Sequence, residues 1–277
     1  MVAPDEIRAS GCLIVMGSEG RGEQTVRTDQ DNGLILAGPV DKATLDTFRA
    51  DFSAALAEFG FPPCPGNVMA RNPFWSKPLS DYLTDFRRWV ALPDETAHMN
   101  VAIFYDARAV AGDARLLTTA KAALIDLIRG EQAYLAHFAH AVNGFAIPIG
   151  LFNNLVTSEG KGDALDLKKG GIFPIVHGIR SLAIEHGLLE TATDKRIARL
   201  RDIGVLQADF ARELSQTFRF LLTLRLDGQL AASAGTSGTL VRPSSLSSME
   251  RDLLRDAFQV VKQFRELIRH HFNLGVF

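Results

Sequence analysis

The chain has 277 residues, of which 47% are hydrophobic and 22% charged, and its formal net charge is −2. That length and apolar content support a sizeable core, in one large domain or two modest ones. The charge balance excludes a partner held by bulk electrostatics, nucleic acid above all, and no apolar run approaches the ~18 residues of a membrane-spanning helix.

The first segment, Met1 to Arg8, is polar and lacks the apolar core of a signal peptide. The two cysteines, Cys12 and Cys64, form neither a disulfide framework nor a zinc-type spacing, so a reduced, cytoplasmic setting is expected. Cys12 to Met16 is a short apolar run closed by Gly17, which predicts a buried strand. Leu34 to Ala37 predicts a second strand. Asp41 to Phe59 has Leu45, Phe48, Phe52, Leu56 and Phe59 at helical spacing, with Gly60 at the C-cap position. Phe61 to Gly66, with three prolines, is a forced loop. Leu79 to Val90 predicts a helix with Leu83, Phe86 and Val90 on one face. Asn100 to Tyr105 predicts a further strand.

From Ala114 onward long helical patterns dominate. Leu206, Phe210, Leu214, Phe218 and Leu221 repeat every three or four residues, as do Leu254, Phe258, Val261, Phe264 and Ile268. Ser247 and Glu250 form a capping-box pattern at the start of the last helix. Ala231 to Ser245, rich in Gly, Ser and Thr, predicts a mobile loop. The expected architecture is α+β: a mixed β-sheet with packed helices over residues 1–114, then an all-α helical bundle over 115–277.

The chemistry concentrates between the first two strands. Gly17-Ser18 follows the first strand directly, and Gly17, Gly20 and Gly22 allow backbone amides to turn toward a ligand. A helix starting there would point its opening amides at a phosphate. The Gly-Lys-Ser/Thr ending of a P-loop is missing. Asp29 and Asp31 come next; two apart on an extended segment, they point to the same side. Such a pair repels itself unless a cation lies between, and magnesium, an oxygen-seeking ion that shares its shell with phosphates, suits it. Manganese is the alternative ion. Arg21 fits either a phosphate contact or a brace against Glu23. Lys168 and Lys169, beside Gly170-Gly171, fit either a solvated basic pair or a phosphate contact. His137 and His140 share a helix face without a visible third metal ligand, and read as ordinary histidines.

Gly17-Ser18, ten further residues and then Asp29-x-Asp31 before an apolar strand resembles the nucleotidyltransferase signature of the DNA polymerase β superfamily. The fuller string, Gly17 to Gln24 with Thr28 to Asn32, resembles a narrower bacterial family similar to the N-terminal part of protein-PII uridylyltransferase. The likeness continues through Cys64 to Asn72 and Phe104 to Asp113. Leu165 to Arg180 resembles that family's C-terminal substrate-binding domain. The superfamily usually has apolar residues beside the two aspartates, whereas Gln30 and Asn32 stand here.

The resemblance implies a metal-dependent transfer of an NMP group from an NTP to an acceptor hydroxyl, with release of pyrophosphate, of the uridylyl- or adenylyl-transfer kind. Asp29 and Asp31 would hold the metal. Asp106, taken to end the strand Val101 to Tyr105, would be the third carboxylate or the base; Asp113, Asp81 and Asp85 are the other choices. Gly17, Ser18, Gly20, Arg21, Lys168 and Lys169 would contact the nucleotide, and one of Lys168, Lys169 and Arg180 would face the cleft. The acceptor implied by the uridylyltransferase is a tyrosine on a regulatory protein. CBS or cyclic-nucleotide-binding regulatory domains are the implied partners. The rival reading, prompted by Gln30 and Asn32, is a nucleotide-sensing module without turnover.

Overall fold

The computed structural model describes residues 3–26, 29–150, 154–156, 163–231 and 240–275. The chain divides into two compact units, 1–131 with 189–192, and 132–188 with 193–277. The helix that begins at Ala114, where the sequence reading set its domain boundary, therefore counts with the first unit.

The first unit runs α1 (Asp5–Ser10), β1 (Gly11–Val15), α2 (Gly17–Arg21), β2 (Asn32–Leu36), α3 (Lys42–Glu58), β3 (Ser76–Pro78), α4 (Leu79–Ala91), α5 (Glu95–Tyr105), β4 (Arg108–Gly112) and α6 (Ala114–Ile128). Its four-stranded sheet has the order β3-β2-β1-β4; β2 and β3 are parallel and the other pairs antiparallel. In the β1–β2 register Leu13 faces Leu34 and Gly11 faces Leu36. Residues directly opposite in a ladder share a face. Leu34 and Leu36 pack with Ile7, Leu45 and Phe48 from α1 and α3. The helix α3 forms as its apolar spacing predicts. Asp41 caps it by accepting from the Thr44 amide at 2.9 Å, and Gly60 follows with a φ of +84°.

An aromatic group forms a second part of this core. Phe86 and Phe104 rings lie 4.8 Å apart, Tyr82 and Phe104 5.2 Å, and Phe86 and Trp89 5.4 Å. The buried face of α4 is therefore Tyr82, Phe86 and Trp89. Leu83 and Val90, expected on that face, are only half-buried; the larger rings at the neighbouring positions take the core.

One element differs in kind. Asn100 to Tyr105, expected as a strand, is the second half of helix α5. Asp94 caps that helix by accepting from the Ala97 amide at 2.7 Å, and Ala97, Asn100, Val101, Phe104 and Tyr105 are its buried residues. That burial has helical spacing, but the short apolar run within it is equally strand-like. The strand lies just beyond, at Arg108–Gly112, where four of the five residues are exposed. Its apolar stretch, Ala109 to Ala111, is short and mostly small, and lacks the alternation that marks a half-buried strand.

The second unit contains α7 (Gln132–Ala139), β5 (Leu165–Asp166), α8 (Phe173–Glu185), α9 (Thr193–Asp202), α10 (Ala208–Ala231), β6 (Leu240–Val241) and α11 (Ser248–His271). Among the described residues this unit departs from all-helical structure at the antiparallel ribbon of β5 and β6 and at an isolated antiparallel bridge between Ile149 and Leu155. Most of the loop expected from Ala231 to Ser245 lies outside the described residues. Helix α8 is buried from Pro174 to Ile184 and is the centre of this unit. A Cβ at Gly178 would lie 2.6 Å from the Phe264 ring, so a glycine there lets α11 approach closely. On α8, His177 Nε2 lies 2.7 Å from the Phe138 carbonyl oxygen and Nδ1 lies 3.0 Å from an Arg180 guanidinium nitrogen. A carbonyl only accepts and a guanidinium only donates, so the ring is the neutral Nε2–H tautomer.

The capping box forms as expected: Ser247 Oγ accepts from the Glu250 amide at 3.2 Å, and the Glu250 carboxylate accepts from the Ser247 amide at 2.7 Å. Ser247→Ala is expected to cost about 1 kcal/mol of stability, read from a shifted denaturant midpoint at constant m-value. No helix among the described residues is long and apolar enough to cross a membrane.

Candidate functional site

The site is built at the end of β1. The Met16 amide donates to the Asp31 carbonyl at 2.8 Å, which holds the start of the glycine loop beside the approach to β2. The next residue, Gly17, has a φ of +57°, and a Cβ there would lie 2.4 Å from Asp31 Oδ2. The Asp31 carboxylate thus fills the space a side chain would occupy. Gly17 also opens the short helix α2, whose first amides are of the kind a helix leaves without an intrahelical acceptor. Gly20 is needed for a different reason. Its Cβ would lie 2.3 Å from the Asp106 carbonyl oxygen and 2.7 Å from that of Val15, so its absence lets α2 seat directly on backbone.

Arg21 ends α2. Its guanidinium donates to Glu23 Oε2 at 2.6 Å and to Asp106 Oδ2 at 2.7 Å. The Asp106 side chain is 1% exposed and that of Arg21 13%. Burial opposes the charge on Arg21, but Asp106 and then Glu23 outweigh it and raise its pKa above the ordinary value. The bracing role of Arg21 is therefore the one its geometry displays. Asp106 caps the C-terminus of helix α5 rather than ending a strand, because the apolar run before it is helical.

Asp29 and Asp31 lie together, and with Cys64 they form a group of three whose ligand atoms all lie within 4.8 Å of one another. It is the only such group of three or more among the described residues, and Asp106, Asp113, Asp81, Asp85, His137 and His140 are not in it. The residues between and after the aspartates explain how Cys64 arrives there. Gln30 Nε2 donates to the Ser53 and Phe61 carbonyls, each at 3.0 Å. The Gln30 amide donates to Pro62, and the Asn32 amide to Val68. Asn32 Oδ1 accepts from the Ala70 amide at 2.8 Å. Both side chains are buried. Alternation along an extended segment sends odd and even residues to opposite sides. Here the odd positions carry the carboxylates, and the even positions fasten the 61–70 loop that carries Cys64.

The electrostatics match a crowded anionic site. Burial, then the charge of Asp31, pushes the Glu19 carboxyl above its usual range. Burial, then Asp31, pushes the Cys64 thiol up to about 11. Two carboxylates beside a protonated thiol suit an oxygen-seeking divalent ion, which would relieve the repulsion.

Of the expected residues, the structure brings together Gly17, Asp29 and Asp31, and joins Gly20 and Arg21 to Asp106. Ser18 lies on α2, where its carbonyl accepts from the Glu23 amide at 2.9 Å. Lys168 and Lys169 lie in the helical unit, exposed, at the start of a π-turn spanning Lys168–Ile172. The Lys169 amide donates to Asp166 Oδ1 at 2.9 Å, and its ammonium lies 5.2 Å from the Phe145 ring centroid. Arg180 is buried in the core of that unit. Cys64 joins the site although its sequence context, between prolines and with no base in view, reads as that of a small buried residue. Its proline-flanked loop signals a turn, and the distant bonds that tie Phe61, Pro62, Val68 and Ala70 to Gln30 and Asn32 reveal where the turn lies.

Residues 2–96 match the family described as Putative nucleotidyltransferase DUF294, and residues 132–272 match the family described as Putative nucleotidyltransferase substrate binding domain. No curated protein matches the chain.

Proposed function

The chain belongs to the putative nucleotidyltransferase family, with that family's substrate-binding domain in its helical unit, and on this premise we propose that it transfers an NMP group from an NTP to an acceptor hydroxyl. The observation that carries the reading is the Asp29–Asp31 pair seated against Gly17, whose missing side chain leaves room for a carboxylate at the start of a helix. Asp29 and Asp31 hold the metal, which we take to be magnesium, and that ion when bound supplies charge neutralisation for the triphosphate. Gly17, Ser18 and the opening amides of α2 take phosphate oxygens. The acceptor oxygen attacks the α-phosphorus as the bond to pyrophosphate breaks, and its proton passes to a nearby carboxylate or to water.

Asp106 acts through Arg21. It holds the guanidinium that braces the glycine loop, so the loop keeps its shape as phosphates arrive. Lys168 and Lys169 are the helical unit's candidates for phosphate or acceptor contact, supported by their exposure and the glycines after them. Gln30 and Asn32 prompt the rival reading, a sensor without turnover. Their hydrogen bonds to the 61–70 loop give them a structural use that is compatible with catalysis. The acceptor favoured by the family likeness is a tyrosine of a regulatory protein.

Thermal melts with and without magnesium and NTP test the site. Wild type is expected to gain melting temperature with both present, while Asp29→Asn and Asp31→Asn lose that gain. Without ligand each variant is expected to be as stable as wild type or more so, because neutralising one of two adjacent like charges removes repulsion. Equal ligand shifts in all three proteins would place the metal elsewhere. Pyrophosphate release with each NTP, screened against candidate acceptor proteins, then separates turnover from binding.

A further inference from the structure

Cys64 has no part in the reaction as derived above, yet it is held at the metal site by design of the fold. Four hydrogen bonds fasten its loop to the segment that carries the aspartates: Gln30 donates to the Phe61 and Pro62 carbonyls, the Asn32 amide donates to the Val68 carbonyl, and Asn32 Oδ1 accepts from the Ala70 amide. The loop is also closed on itself, with the Asn67 amide donating to the Cys64 carbonyl at 2.9 Å. Cys64 Sγ and one oxygen from each aspartate lie within 4.8 Å of one another. Donors bonded to one tetrahedral ion at about 2.0–2.3 Å lie roughly 3.3–3.8 Å apart, so the three atoms need close by no more than about 1–1.5 Å. Small side-chain rotations therefore bring all three onto a single ion. The Asp31 carboxylate is already confined on its other side by the Gly17 backbone.

The donor set differs in chemical kind from two carboxylates alone. Magnesium binds oxygen and has little use for sulfur, whereas zinc and cobalt accept carboxylate and thiolate together. Resting on the reading of Asp29 and Asp31 as the metal pair, we propose that Cys64 is a third ligand for borderline divalent ions, so that the site binds zinc or cobalt through two oxygens and one sulfur. In that step the S–H bond breaks, the proton leaves to solvent and a sulfur–metal bond forms, with no change of oxidation state. A magnesium ion would use the oxygens only, with the thiol as a neutral neighbour. The site then has two modes of occupancy, and zinc would displace magnesium by recruiting a ligand that magnesium leaves unused.

Cobalt(II) is the probe, because a thiolate bound to it produces a charge-transfer absorption in the near ultraviolet that carboxylates do not. The full chain, reduced and metal-free, is titrated with cobalt as wild type, Cys64→Ser, Asp31→Asn and Cys12→Ser. Wild type and Cys12→Ser are expected to develop the band. Cys64→Ser is expected to lose it and to bind cobalt about tenfold or more weakly, while keeping the melting-temperature gain with magnesium and NTP. Zinc is expected to abolish that gain at lower concentration in wild type than in Cys64→Ser. Cobalt binding to wild type by calorimetry without the band, lost in Asp31→Asn, would overturn the role of Cys64 and leave the aspartate pair standing. A band that survives Cys64→Ser would likewise overturn it. If neither cobalt nor magnesium binds wild type, the reading of the aspartate pair fails, and this inference with it.

Discussion

Asp106→Ala is expected to lower the unfolding free energy by about 3 kcal/mol, the lower end of the cost of breaking a buried ion pair, because Arg21 loses one of its two carboxylate partners. The Arg21 guanidinium is held between two carboxylates, and the Asp106 side chain is 1% exposed. Removing Asp106 leaves Glu23 as the acceptor on one side and takes away the carboxylate on the other. Asp106→Asn is expected to lose less, because its amide oxygen still accepts from Arg21 although the opposite charge is gone. Guanidinium denaturation of both variants measures the difference. The same proteins separate two roles for Asp106. If it acts through Arg21, Asp106→Asn keeps the melting-temperature gain with magnesium and NTP. If it is a metal ligand, that gain disappears while the stability loss stays small.

Gly20→Ala is expected to cost about 3 kcal/mol or more, at the upper end for overpacking. The new methyl would meet the Asp106 and Val15 carbonyl oxygens at 2.3 and 2.7 Å. Both are backbone atoms, one at the end of α5 and one at the end of β1, so neither can rotate away. The helix α2 must lift, and Arg21 leaves Asp106 as it does. Gly17→Ala provides the contrast. Its methyl would meet the end of a side chain, Asp31 Oδ2 at 2.4 Å, and that carboxylate can turn aside. The fold is expected to lose only about 1–2 kcal/mol for the left-handed backbone, but the aspartate pair is spread and magnesium-dependent binding is lost. Denaturant midpoints with ligand-induced melting shifts read the two effects separately. A Gly20→Ala protein of wild-type stability would show that α2 does not seat on these carbonyls.

The elements that were legible in the sequence are those whose apolar period is long or whose caps are polar. Helix α3, Lys42–Glu58 between the caps Asp41 and Phe59, has both ends signalled, and α11 opens on the Ser247–Glu250 pair. The run from Asn100 to Tyr105 was misread because six residues cannot separate a period of two from a period of 3.6 when most are apolar. The feature that distinguishes the two, the Asp94 cap on the Ala97 amide, lies upstream of the run. The strand β4 was invisible for the opposite reason: it lies at the sheet edge, exposed, and its pairing with β1 is made by backbone. In the site, Gly17, Asp29 and Asp31 were legible because their spacing is local. Cys64 and the Arg21–Asp106 pair were not, since each depends on a contact between distant parts of the chain. The signal for Cys64 was present in Gln30 and Asn32, polar residues standing where a strand approach usually turns apolar side chains inward. Their polarity marks loop attachments, which only the fold identifies.

The alternation from Asp29 to Asn32 makes this short stretch intolerant of a change in length. One residue inserted between Asp29 and Asn32 would rotate part of the stretch by half a period. A carboxylate would then turn toward α3, where Gln30 now binds the Ser53 carbonyl, and an amide would take its place beside Gly17. Chemistry and architecture would be exchanged in a single step, with every residue type preserved. Composition is therefore the more forgiving variable in this segment and parity the strict one. Relatives that share the site should vary freely in what fills the even positions, so long as it can fasten the neighbouring loop, and hold the count between the two carboxylates at one.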